Sequence, residues 1–97
     1  MATTRYCGKL YQGLDEEKAY TFDWAAIGTP TAAAVSILDS NFVDKSASLL
    51  TGADSIVADT VITPVVADLS LGSYMLLCNA TIGGLPWSAY MIIVAEY

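Results

Sequence analysis

A chain of 97 residues has room for one hydrophobic core and not for two, so a single domain is expected. Hydrophobic residues make up 55% of it and charged residues 14%, against roughly 25% charged in an ordinary soluble domain, which leaves too little polar material to cover a free monomer. Ten acidic residues against four basic ones, with no Lys/Arg cluster, argue against nucleic-acid binding, and the absence of histidine removes the commonest general base and metal ligand at neutral pH.

The opening residues MATTRYCGKLYQG lack the basic, apolar and small-residue succession of a secretory signal. The mature chain is therefore expected to begin near Met1 and not to be exported by that route. Residues 1–18 show no sustained period of 2 or 3.6, with Gly8, Gly13 and the cluster Asp15, Glu16, Glu17 interrupting any pattern, and read as an extended N-terminal arm. The domain proper is expected over residues 19–97.

Ala19 to Trp24 alternates, with Tyr20, Phe22 and Trp24 on one face and Thr21 and Asp23 on the other, the pattern of a half-buried strand. Gly28, Thr29 and Pro30 make a turn, and Thr31 to Leu38 reads as a second strand ended by Asp39, Ser40 and Asn41. Around Phe42, Val43, Leu49 and Leu50 the chain reads as short strand, with a helical turn at Ala47 to Leu50 as the alternative. Ser55 to Val66 is β in composition, and Pro64 puts its part of that strand at an edge or a bulge because it cannot donate to a ladder.

From Leu69 to Ala95 there is no charged residue, and hydropathy alone would flag a membrane span. Asn79, Gly83, Gly84 and Pro86 break it into two strand-length halves, so a hairpin is expected, Ser73 to Ile82 and Trp87 to Ala95 about a Gly-containing turn. Tyr74, Leu76, Cys78, Ala80 and Ile82 share one face of the first strand. In the second strand Tyr90, Ile92 and Val94 share one face and Met91, Ile93 and Ala95 the other. Neither strand has a polar second face, so Met75, Leu77, Met91 and Ile93 are assigned outward and call for a cover: a neighbouring subunit, the N-terminal arm, or none. Those four are the candidate protein interface.

Chemistry is sparse. Asp15, Glu16, Glu17, Asp23, Asp39, Asp44, Asp54, Asp59 and Asp68 fall mostly at turns, where Asp bonds its own backbone, and no spacing marks an acid–base pair or a calcium loop. No catalytic residue, cofactor or metal ligand is assigned, and an enzyme is not expected. Cys7 and Cys78 lack a metal or redox spacing; Cys78 reads as a small buried hydrophobe, with a disulfide to Cys7 as the alternative. Gly83-Gly84 has no following helix to make a phosphate cradle, and the sequon at Asn79 sits in mid-strand. The alternating aromatics read as core, except that Trp87, beside the turn, is a possible ligand contact at a loop end.

Leu69-Ser-Leu-Gly72-Ser-Tyr74, followed by an alternating strand, resembles the L-x-x-G-x-Y turn of immunoglobulin-like and fibronectin-like domains. That resemblance implies an all-β, immunoglobulin-like sandwich of about seven strands, with Tyr74 as a fold corner whose hydroxyl ties back to the backbone. The order of Ala19-Tyr-Thr-Phe-Asp23-Trp24, Asp59-Thr-Val-Ile62 and the final hairpin is similar to that of small accessory virion proteins of tailed bacteriophages. This implies a non-enzymatic structural subunit in head decoration, neck or tail, assembled in the host cytoplasm. Its partners would be capsid, neck or tail subunits and further copies of itself, with neither nucleic acid nor membrane. The alternative is a displayed module that binds a host glycan or receptor through Trp87.

Overall fold

The computed structural model describes residues 4–97. Among these residues the chain is all-β apart from one helical turn. It has nine strands where about seven were expected: β1 (Thr4–Gly13), β2 (Thr21–Asp23), β3 (Ala32–Leu38), β4 (Leu50–Thr51), β5 (Ser55–Val57), β6 (Thr60–Ile62), β7 (Val65–Val66), β8 (Gly72–Ile82) and β9 (Leu85–Glu96). Ser55 to Val66 is three short strands and not one, and the expected arm is itself β1, while Phe42 and Val43, expected as short strand, lie in none. Ala58, at a φ of 52°, turns the chain between β5 and β6, and Pro64, unable to donate, stands in the break between β6 and β7. The helical turn α1 (Ser46–Leu49) settles the ambiguous middle segment and buries Leu49.

The strands form a four-stranded sheet in the order β1-β9-β8-β3, a three-stranded sheet β2-β6-β5 and a two-stranded pair β4-β7. All pairings are antiparallel except β1 with β9, which run parallel. One apolar cluster joins the sheets. Phe22, Trp24, Val61 and Val66 enter it from the short strands and the residue after β2, and Ile37, Leu76, Cys78 and Ile93 from the long sheet. The uncharged closing segment is thus the hairpin β8–β9, and among the described residues no helix is long and apolar enough to cross a membrane.

The turn of that hairpin is tighter than Gly83 to Pro86. Only Gly83 and Gly84 lie between Ile82 and Leu85, both at positive φ (60° and 77°), the backbone of a two-residue turn whose twist matches the strands. Leu85 and Pro86 already belong to β9.

The N-terminal arm is extended, as its sequence implies, but it is not separate from the domain and does not lie across a sheet face. As β1 it forms an edge of the large sheet, in register with Ser88 to Glu96 apart from one shift between Tyr6 and Lys9. Gly8, at a φ of 125°, sits in that irregularity. Adding a residue to one strand reverses which side chains point outward, so Tyr6 before it and Tyr11 after it share a face although an odd number of positions separates them. Gln12 points inward and is fully buried. Its Nε2 donates to the carbonyls of Val66 (2.8 Å) and Glu16 (2.9 Å), and its Oε1 accepts from the Tyr20 hydroxyl (2.6 Å), so each polar atom of the amide is bonded.

Candidate interaction surface

Residues directly opposite one another on paired strands point to the same side of the sheet. In the β8–β9 register Leu76 faces Met91, Tyr74 faces Ile93 and Cys78 faces Ala89. Met91 (6% exposed) and Ile93 (0%) therefore belong to the closed core beside Leu76 and Cys78. This corrects the outward assignment of Met91 and Ile93. The residues that stand beside Met75 and Leu77 are Ile92 and Tyr90.

The corrected outward face runs across all four strands. Val94 continues it along β9, Tyr6 and Tyr11 extend it onto β1, and Ser36 and Leu38 carry it onto β3 opposite Leu77 and Met75. None of the residues at outward positions of β8 and β9 is buried, whereas inward residues from Leu76 to Ile82 and from Ala89 to Ala95 are. Tyr6 and Tyr11 are 57% and 55% exposed. The rings of Tyr6 and Tyr90 pack together, with centroids 5.3 Å apart and planes inclined at 43°, so the aromatic part of the face is preformed. Towards the hairpin turn the face becomes polar, where the Ser88 hydroxyl donates to Asn79 Oδ1 at 2.6 Å.

Sequence reading missed Tyr6 and Tyr11 as members of this face. The signal for them was Gly8, the position at which an irregularity in β1 changes the phase of alternation.

Trp87 lies opposite Ala80 on the inward side, half-buried against the core, with its Nε1 enclosed and without a hydrogen-bond partner. It is not the exposed loop-end aromatic that a ligand contact would use; beside the turn Leu85 is an exposed large hydrophobic side chain.

Both cysteines are free. Cys78 is buried in β8 and Cys7 exposed in β1, with β9 between those strands. Two strand spacings of about 4.8 Å exceed the Cα separation a disulfide spans. Burial pushes the Cys78 thiol up to about 11; the Trp24 indole, close enough to favour the thiolate but without hydrogen-bond geometry, opposes this in part. Partial burial also raises the Cys7 thiol, against the attraction of Arg5. Cys7 and Arg5 line a recess of about 90 Å³ together with Asp23 and Trp24. Room for a few waters is all it offers.

Several of the carboxylates serve turns. Asp23 accepts from the Ala25 N–H, Asp39 from those of Asn41 and Val43, and Asp44 from that of Ser46. Asp59 is bonded by the Thr29 hydroxyl. Glu16 accepts from the Gly13 N–H, which with Lys18 at 3.4 Å holds its carboxyl below the usual range. Among the described residues no three acidic or cysteine side chains gather as metal ligands would.

Tyr74 sits at the corner entering β8, its hydroxyl bonded to the backbone of Ser70. Compared with known proteins, the chain matches no family model and no curated protein sequence.

Proposed function

We propose that the chain is an immunoglobulin-like structural subunit of a bacteriophage virion, in head decoration, neck or tail. It is not an enzyme, and it acts by burying the outward face of its four-stranded sheet against other proteins. The observation that carries this reading is that face: apolar and aromatic across four strands, partly open to solvent, on a chain with few charges. Monomers rarely leave contiguous apolar patches of more than a few hundred Å² uncovered, and larger ones mark interaction sites. Burying it yields about 25 cal/mol per Å² of apolar area, from which the cost of association is subtracted.

The immunoglobulin-like assignment draws support from connectivity. The orders β1-β9-β8-β3 and β2-β6-β5 correspond to a first strand joined to strands G, F and C on one sheet, with B, E and D on the other. The Tyr74 bond to Ser70 has the form of that fold's tyrosine corner. The bacteriophage assignment rests on the resemblance of Ala19 to Trp24, Asp59 to Ile62 and the final hairpin.

The test is co-expression of the chain with the head, neck and tail proteins encoded beside its gene, followed by gradient sedimentation. The chain should travel with particles or their precursors, and Leu77→Asp should leave it at the top of the gradient. A wild-type chain that never sediments with any of these assemblies overturns the proposal.

A further inference from the structure

We infer that the outward face of the four-stranded sheet docks a second copy of this chain about a two-fold axis. The inference rests on the reading of that face as a protein interface and names its occupant. Size is the first argument. Strands β1, β8 and β9 are 10, 11 and 12 residues long. Four strands about 4.8 Å apart, rising about 3.3 Å per residue, give a face of roughly 19 by 33 Å, about 600 Å² in projection. Side-chain relief brings this close to the roughly 800 Å² per partner of a standard stable interface.

Charge is the second argument, and it selects the occupant. The chain carries a net charge of −6, so two copies repel over most of their surfaces. On the outward positions of β1, β9, β8 and β3 the only charged residues are Lys9 and Glu96, which cancel. This is a face on which identical chains meet without stacking carboxylates, whereas a basic partner would find its complement elsewhere on the molecule. A two-fold contact uses the same patch on both copies, and two apolar sheet faces of the same twist pack on one another as the sheets of a sandwich do. The Tyr6–Tyr90 pair and Tyr11 supply the aromatic area in which interface cores are rich.

Sedimentation equilibrium of the full chain, at micromolar concentration and under reducing conditions, tests this. The wild type should show twice the mass of the chain. Leu77→Asp at the centre of the face should weaken the dimer by about a hundredfold, as loss of a central anchor does. Tyr11→Glu, at an exposed position that leaves the core untouched, should weaken it as well and replaces Leu77→Asp if that variant misfolds. Val57→Asp, at an exposed position of β5 on the other sheet, should leave the dimer intact. A monomeric wild type, a dimer indifferent to both face variants, or one equally weakened by Val57→Asp overturns the inference. Monomeric chain that still sediments with particles, and loses this through Leu77→Asp, would sink the dimer alone; chain that neither dimerises nor joins particles sinks both readings.

Discussion

The Tyr74 hydroxyl meets the backbone of Ser70 twice, accepting from its N–H at 3.1 Å and donating to its carbonyl at 3.3 Å. Four residues upstream of the ring, the chain is still turning into β8, so the tyrosine closes a loop that begins the longest hairpin of the fold. Tyr74→Phe keeps the ring and deletes both bonds. It should cost about 1 kcal/mol, since the freed backbone groups are exposed and water replaces part of what is lost. Urea denaturation at neutral pH measures this, and an unchanged midpoint would show the corner to be ornamental.

Gln12 is a more demanding case, because its amide is fully buried and each polar atom is bonded. Gln12→Ala would take the acceptor from the Tyr20 hydroxyl and one of two donors from the Val66 carbonyl, which keeps the Lys18 N–H, and would open a cavity at the same point. The expected loss is about 2 to 4 kcal/mol. The same denaturation series reads it, and β1 should loosen first. Hydrogen exchange at Leu10 to Gly13 should accelerate more in this variant than exchange in β8.

Much of this architecture was legible in the sequence, and the misreadings have physical causes. The strands at Thr21 to Asp23 and Ala32 to Leu38 and the closing hairpin follow from alternation and turn residues, and the structure has them nearly where expected. The hairpin faces were harder, because β9 is apolar on both sides and composition does not say which side is inward. Pairing does say. A turn of two or four residues sets even-numbered positions of β8 opposite odd-numbered positions of β9, so Leu76 and Met91 had to share a face. Treating the two strands separately sent Met91 and Ile93 outward. Strand β1 escaped detection because the irregularity at Gly8 breaks its period, and Gln12 because a buried amide resembles a surface one until its partners are known.

The two thiols should behave oppositely. Cys7 is exposed and Cys78 buried, so a thiol reagent should label one cysteine rapidly in the native protein and the second only on unfolding. The Cys78 thiol, held up to about 11 in the fold from an ordinary value of 9.0, adds a pH dependence. Below pH 9 both states keep the proton and the group contributes no slope. Between about 9 and about 11 the unfolded chain ionises while the folded one does not, so stability falls as pH rises and levels off above that window. Cys78→Ala should lose this part of the alkaline slope while costing some packing. Identical wild-type and variant slopes from pH 9 to 11 would contradict the assignment.

The turn at Gly83 and Gly84 fixes the pairing of β8 with β9 and with it the side on which Tyr90 and Ile92 emerge. Both residues occupy the left-handed region, which suits glycine and is tolerated by asparagine at the first position. Gly83→Asn should therefore be neutral to stabilising by a few tenths of a kcal/mol, because it narrows the unfolded ensemble without straining the turn. Gly83→Val places a β-branched side chain at a φ of 60° and should cost about 1 to 3 kcal/mol. The penalty is conformational and not steric, since nothing lies within 4 Å of where the new Cβ would stand. The difference between the two midpoints in urea thus reports mainly backbone strain. If valine is tolerated as well as asparagine, the turn does not hold the register and some other contact must place Met91 and Ile93 inside.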